Sequence, residues 1–303
     1  MHEATLTLPV KPPFRLDLTV WVLRRRAKNS IDTWDGNTYR RVFTIDGRPA
    51  LAKVHQKTGD LVVKLKSSGT ITYKRRTELE KLVRRTLGLD VNLEPFYKLT
   101  ATDQTLESLT RQFVGVRPPR FPSIFETLVN AIACQQVSLN VGILLINRLA
   151  DSFGKPIVDG EMTLHAFPEP QDIVVVDESS LKQLGFSYQK VRAISSLAYA
   201  IANNDVDLKA LSAASNDQVM AVLQSLRGIG RWSAEYVLLR GLGRINVFPG
   251  DDIGGQNNLQ RLLGLDMRPS YEELRRLTSK WNPYAGLIYF HLLLGKLREK
   301  ELI

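Results

Sequence analysis

The chain has 303 residues, 44% hydrophobic and 24% charged, and 41 Lys and Arg against 31 Asp and Glu give a formal net charge of +10. That balance fits a soluble globular protein with room for two domains, and the cationic excess favours a polyanionic partner. The single cysteine, Cys134, excludes internal disulfides and suits a reducing compartment.

The four histidines, His2, His55, His165 and His291, lack metal-ligand spacing. The N-terminus has no signal-peptide pattern and no segment reaches transmembrane length, so an intracellular protein, cytoplasmic or nuclear, is expected.

In chain order, the first third reads as β. Phe14, Leu16, Leu18, Val20 and Val22 alternate with Arg15, Asp17, Thr19 and Trp21, the period of a strand. Tyr39 to Ile45, a turn at Asp46-Gly47, and Pro49 to Val54 predict a hairpin. Leu61 to Leu65 adds a strand that stops at Ser67-Ser68-Gly69, and Thr77 to Leu87 turns helical in pattern. The basic run Arg24-Arg25-Arg26 and the pairs Arg40-Arg41, Arg75-Arg76 and Arg84-Arg85 read as solvated surface, some of it open to a polyanionic partner. Residues 1–102 are thus expected to form an antiparallel β-rich domain with at least one helix.

From Asp103 helical periodicity dominates, and residues 103–303 are expected to be all α; the fold class is α+β. Ser123 with Glu126 predicts a capping box ahead of the apolar face Phe125, Leu128, Val129 and Ile132. Val141, Leu144, Leu145, Leu149 and Phe153 mark the next helix, and Leu181 to Phe186 and Val191 to Ala202 continue the bundle. Tyr271 to Trp281 and Tyr284 to Leu297 close it, with Pro283 between them.

The most informative passage lies between those helices. Val219, Val222, Leu223 and Leu226 recur at i, i+3, i+4, i+7, with Asn216 and Asp217 where an N-cap is wanted. A tight glycine turn, Gly228-Ile229-Gly230, separates them from Trp232, Tyr236 and Leu239, again at helical spacing, with Gly241 and Gly243 as a stop. Such a turn exposes backbone N–H groups at a helix N-terminus, where a phosphate can bind. Asp251 and Asp252 follow closely. A phosphate grip and a carboxylate together point to an enzyme that holds DNA by its backbone and acts on a sugar–base bond.

These residues resemble the helix-hairpin-helix, Gly-Pro-Asp superfamily of DNA base-excision glycosylases, and within it the 3-methyladenine DNA glycosylase II (alkylation-repair) branch. The likeness rests on Gly228-Ile229-Gly230-Arg231-Trp232-Ser233-Ala234 and on Gly250-Asp251-Asp252. It extends to Phe125 through Ser138, which includes Ala133-Cys134-Gln135-Gln136-Val137-Ser138, and to Trp281-Asn282-Pro283-Tyr284 with His291 beyond. It spans roughly the C-terminal two-thirds well and the first third loosely. One cysteine excludes the four-cysteine iron–sulfur cluster of another branch.

The resemblance implies a monofunctional DNA N-glycosylase that flips out alkylated bases and hydrolyses the N-glycosidic bond. Asp252 matches the catalytic aspartate, facing an oxocarbenium-like sugar; its plainer role is N-cap of a helix starting near Ile253, and for Asp251 capping is the preferred reading. Trp232 stands where strand-cleaving members carry a Schiff-base lysine, so water is the expected nucleophile. Trp232 and Tyr236 would line the base pocket, with core packing as the alternative. Ile253 and Leu293 occupy positions where the family often has aromatic residues, which implies a less aromatic pocket, and the Gly254-Gly255 pair is unusual for a helix start.

Gly228, Gly230, Arg231 and Ser233 are expected to contact DNA, and Gln136 either fills the hole left by the flipped base or is a polar residue in a turn. His291 reads as a hydrogen-bonded core histidine. Residues near Trp21 and Val22 are expected to reach the pocket rim. No cofactor and no side-chain metal site are expected, although backbone carbonyls from Gly228 to Arg231 could hold a cation. The expected partner is duplex DNA containing alkylated bases, bound by a monomer. A helix-hairpin-helix DNA-binding module without catalysis and an oxidised-guanine glycosylase with lyase activity are the rivals; Trp232 argues against the second.

Overall fold

The computed structural model describes residues 1–303. The N-terminal part contains β1 (His2–Leu8), α1 (Leu16–Arg24), β2 (Thr33–Trp34), β3 (Tyr39–Ile45), β4 (Arg48–Lys57), β5 (Asp60–Ser67) and α2 (Tyr73–Thr86). Its strands form one antiparallel sheet in the order β1-β5-β4-β3-β2. Two helices, α3 (Glu94–Thr100) and α4 (Gln104–Arg111), lead into α5 (Ile124–Cys134) and α6 (Leu139–Phe153). A short hairpin of β6 (Pro156–Asp159) and β7 (Met162–His165) precedes α7 (Pro170–Val174), α8 (Glu178–Gln183) and α9 (Tyr188–Ala202). Then come α10 (Asn216–Ser225), α11 (Arg231–Arg240), α12 (Ile253–Leu263), α13 (Tyr271–Ser279) and α14 (Ala285–Glu299). No helix is long and apolar enough to cross a membrane.

The hairpin of β3 and β4 and the strand β5 fall where the alternation places them. The stretch from Phe14 to Val22 does not: from Leu16 on it is helix α1, and the sheet is completed instead by β2 and by β1, which pairs with β5 from His2↔Ser67 to Leu8↔Leu61. Two interleaved helical stripes explain the false period. Leu16, Val20 and Leu23, spaced i, i+4, i+7, pack into the core beneath the sheet, with Leu79 and Val83 of α2. Leu18 and Val22, spaced i, i+4, pack into a second core with Phe96, Leu106, Phe290 and Leu294. A helix buried on two sides presents apolar residues at every second position without being a strand. Thr5-Leu6-Thr7-Leu8 carries the alternation that marks β1, with Leu6 and Leu8 buried.

A third core holds the middle helices together through Leu128, Leu149, Ile194, Leu223 and Val237. Ser123 caps α5 by accepting the Glu126 N–H at 3.0 Å, but the Glu126 carboxylate does not complete the box. Ser215, with Gln218 reciprocating, caps α10 in place of Asn216 and Asp217. In α6 the buried face is Ile143, Leu145, Ile146 and Leu149, and Val141 and Leu144 are exposed.

The arginine clusters are the clearest departure from a solvated surface. Arg24, Arg25, Arg41 and Arg75 are buried, while Arg26, Arg40, Arg84 and Arg85 are half-buried and only Arg76 is exposed. Arg24 donates to the Trp34 carbonyl and Arg75 to those of Thr70 and Ile45. Arg41, 1% exposed, bridges Asp32 at 2.6 Å and Glu126 at 2.5 Å, and Tyr39 donates to the same Asp32 oxygen at 2.8 Å. Burial pushes the Glu126 carboxyl up to about 6 even with Arg41 against it. Arg25, Arg41 and Arg75 find acceptors far along the chain, at Asn130, Glu126 and Ile45, which sequence proximity does not reveal.

Two predictions test this architecture. Arg41→Met leaves Asp32 and Glu126 buried without their cation and should lower unfolding stability by about 3–5 kcal/mol, read from urea denaturation at pH 7. His291 is fully buried, with Nδ1 at 2.8 Å from the Leu287 carbonyl and its ring 5.1 Å from that of Phe96, and burial holds the imidazole down to about 4. The unfolded chain therefore protonates first as pH falls. The contribution of neutral His291 is complete above an unfolded pKa of about 6.5 and declines toward pH 4, by at most roughly 3 kcal/mol. The stability difference between wild type and His291→Leu should change across that window, and a difference constant from pH 7 to 4 would refute the assignment.

Candidate active site and nucleic-acid interface

The glycine turn joins α10 to α11. Gly228 has φ +78, and a Cβ there would also approach that of Ala193 to 2.8 Å, so the position demands glycine twice over. Gly230 is the N-cap of α11 with φ −95, and a Cβ would meet nothing. No side chain caps this helix. Its leading N–H groups remain available to an anion, with the positive end of the helix dipole behind them. Ser233 is 1% exposed, and its Oγ accepts from Gln135 Nε2 at 2.9 Å. The same amide donates to the Gly228 carbonyl at 2.8 Å, so one carbonyl of the expected cation site already has a partner.

α11 also grips the aspartate loop that follows it. Arg231 makes a two-point ion pair with Asp251, Nε to Oδ2 at 2.6 Å and Nη2 to Oδ1 at 2.9 Å, and its guanidinium lies 3.6 Å over the Tyr271 ring. Trp232 Nε1 donates to Asp252 Oδ2 at 3.1 Å. Glu235, one turn on, accepts the Gly250 N–H and the Tyr271 hydroxyl, both at 2.8 Å; burial raises its carboxyl above the ordinary value. Gln256 closes the loop by donating to the Gly250 carbonyl at 2.8 Å.

Asp252 is the N-cap of α12, with Oδ1 accepting the Gly255 N–H at 2.5 Å. The capping role expected of Asp251 belongs to Asp252, because Arg231 draws Asp251 away. Asp252 is thus a capping carboxylate whose two oxygens are oriented by Gly255 and Trp232. The Gly254-Gly255 pair also has a steric reason. A Cβ on Gly255 would lie 3.0 Å from both Phe248 and Tyr289, and one on Gly254 would lie 3.1 Å from Asp252 Oδ1.

Beside this loop lies a cavity of about 840 Å³, and its lining includes Trp232, Tyr236, Asp252, Ile253, Leu293 and Gln136. Trp232 and Tyr236 stack, with centroids 5.5 Å apart and ring planes 30° apart. Tyr236 is buried and Trp232 half-buried, so the pair packs on the sheet core with one side and walls the cavity with the other. Gln136 is exposed, in a left-handed conformation with φ +53 at the turn between α5 and α6.

Sequence reasoning overlooked several lining residues, Tyr289, Cys134 and Arg25 among them. Tyr289 stands one turn before Leu293 on α14 and restores an aromatic wall, packed edge-on against Phe248 at 5.2 Å; its i, i+4 spacing from Leu293 was the available signal. Cys134 lies within the quoted Ala133 to Ser138 stretch. Arg25 sat inside a run that reads as surface. The N-terminal part reaches the cavity through Arg25 and Arg26, and Trp21 and Val22 pack instead against the core around α14.

The family described as HhH-GPD superfamily base excision DNA repair protein matches residues 129–283. The chain belongs to this family. Residues 5–123 match the AlkA N-terminal domain. The DNA-3-methyladenine glycosylase of Bacillus subtilis is 24% identical over 295 residues, 96% of this chain and 97% of the relative. The structure of the 3-methyladenine DNA-glycosylase from Archaeoglobus fulgidus superposes with a TM-score of 0.83 at 25% identity, covering 95% of this chain and 97% of that one. An 8-oxoguanine glycosylase/lyase from Clostridium acetobutylicum, bound to duplex DNA, shares the fold, with a TM-score of 0.77 at 16% identity over 95% and 93% of the two chains.

The hairpin predicts two different glycine phenotypes. Gly230→Ala meets no protein atom and should fold normally, yet weaken binding to undamaged duplex by about tenfold by crowding an approaching phosphate. Gly228→Ala should do so while also losing about 1–2 kcal/mol of stability from its positive φ. Fluorescence anisotropy at fixed salt, with unfolding measured in parallel, separates the two. Wild-type affinity in folded Gly230→Ala would remove the hairpin from the DNA interface.

Proposed function

We propose that this protein is a monofunctional DNA N-glycosylase for alkylated bases, acting as a monomer on duplex DNA. The observation that carries the reading is Asp252, held by Trp232 and Gly255 at the wall of an aromatic-lined cavity, next to an uncapped helix N-terminus. In this reading the first turn of α11 takes a backbone phosphate, the damaged nucleotide rotates into the cavity, and its base stacks on Trp232 and Tyr236. Gln136 occupies the vacated place in the duplex. As the C1′–N bond breaks, positive charge grows on the sugar and the Asp252 carboxylate stabilises it while water attacks C1′.

Trp232 supports hydrolysis over strand cleavage, because an indole cannot attack C1′ to form a Schiff base. The lysines of the cavity, Lys296 and Lys300, stand near the C-terminal end of α14, and Lys296 is paired with Glu299 at 2.7 Å. A DNA-binding module without catalysis needs neither the cavity nor an oriented carboxylate.

Asp252→Asn keeps a helix cap and removes the charge facing the sugar. Single-turnover excision from methylated DNA should fall about a hundredfold or more, roughly 3 kcal/mol, with duplex binding retained or slightly tighter. Asp251→Asn breaks only a partly exposed pair with Arg231 and should stay within about fivefold of wild type. Near-normal excision by Asp252→Asn, or inactivity confined to Asp251→Asn, would overturn the assignment.

A further inference from the structure

The deep side of the cavity carries positive charge that no carboxylate contacts. Arg25 follows α1 in a left-handed conformation with φ +60 and is 5% exposed. Its Nη1 donates to Tyr236 Oη at 3.0 Å and lies 3.7 Å from Cys134 Sγ, and Nη2 donates to Asn130 Oδ1 at 2.6 Å. Its Nε is buried without a partner. A guanidinium has five N–H groups, so these acceptors leave donors unused. The neighbouring carboxylates are engaged elsewhere: Asp32 and Glu126 by Arg41, Asp251 by Arg231, Asp252 by Trp232 and Gly255. Arg240, also in the lining and 1% exposed, donates only to the Val22 and Leu23 carbonyls.

Such a charge matters differently for two kinds of lesion. An N-alkylated purine cation takes the electron pair of the breaking C1′–N bond and departs neutral. An uncharged lesion, such as a deaminated or etheno-bridged purine, takes the same pair and departs as an anion. In both, water forms the new C1′–O bond; its released proton can neutralise the departed anion in the second case. A fixed cation beside the base favours the gain of electron density in both steps. It repels the alkylated cation as that base enters the cavity, however, and attracts the net negative charge that only the uncharged lesion acquires, so it discriminates in the rate measured from free enzyme and free DNA.

We propose that the Arg25 guanidinium, in the wall of the base cavity and without a carboxylate partner, is a specificity determinant that stabilises the anionic leaving group of uncharged lesions. The proposal rests on the glycosylase reading above and adds a leaving-group role on the side of the base, opposite in charge to that of Asp252 on the sugar.

The test uses the full-length protein in single-turnover excision at enzyme concentrations below saturation, so that rates run from free enzyme and free DNA, with duplexes carrying 7-methylguanine, hypoxanthine or 1,N6-ethenoadenine. Arg25→Gln and Arg25→Met remove the charge, and Arg25→Lys keeps it; thermal unfolding of each verifies the fold. The ratio of uncharged-lesion to 7-methylguanine rates should drop about tenfold or more in the Gln and Met variants, with Lys restoring at least about a third of the wild-type ratio. A purely structural role for Arg25 would slow all three substrates together and leave the ratio unchanged. A ratio change below about tenfold in a folded variant, or wild-type protein that releases 7-methylguanine and neither uncharged base, overturns the proposal. Wild-type protein that releases no base at all overturns the glycosylase reading itself.

Discussion

The grip of α11 on the loop from Pro249 to Asp252 is the constraint on which the rest of the site depends. One helical turn supplies Arg231 to Asp251, Trp232 to Asp252 and Glu235 to Gly250. The N-terminus of the same helix has no side-chain cap, so its leading N–H groups are open to an anion. The distance from that N-terminus to the Asp252 carboxylate is therefore set inside one helix and its clamped loop. Positioning of this kind is where catalytic power is most easily lost, since small displacements of a charged group are costly. Tyr271 buttresses the clamp from outside, packing so near Gly250 that a Cβ there would lie 2.5 Å from its ring.

A second seam joins the sheet to the helices. Glu126 and Asn130, one turn apart on α5, receive Arg41 from β3 and Arg25 from the end of α1. Arg240 of α11 donates to the carbonyls of Val22 and Leu23 at the end of α1, where a cation also complements the helix dipole. These buried charges fix orientation more than they add stability, because desolvation offsets much of their attraction. They also bring the N-terminal part into the wall of the cavity, so the β-rich third is a component of the site.

Much of this was legible in the sequence, and the failures have physical causes. The hairpin and the aspartates were visible because glycine spacing and carboxylates report directly on backbone chemistry. The strands from Tyr39 to Leu65 were visible because their two faces differ, one toward the core beneath the sheet. Helix α1 was misread because Leu16, Val20 and Leu23 answer to one core and Leu18 and Val22 to another. The arginines were misread because a run of cations resembles a solvated surface until the acceptors, more than a hundred residues away for Arg25 and Asn130, are brought beside it. The move of the capping role from Asp251 to Asp252 was beyond reach for the same reason: it turns on Arg231, which only the folded hairpin brings close.

The double burial of α1 has a consequence for how the chain acquires its structure. Leu18 and Val22 close against Leu294 and Phe290 near the C-terminus, while Leu16 and Val20 close against strands made early. On the ribosome this helix must wait, half covered, until almost the whole chain has emerged. Contacts of such sequence separation slow folding and expose apolar surface meanwhile. A nascent chain stalled before α14 would hold a sheet with an unsheltered leucine–valine stripe, which is the place where a chaperone would be expected to bind.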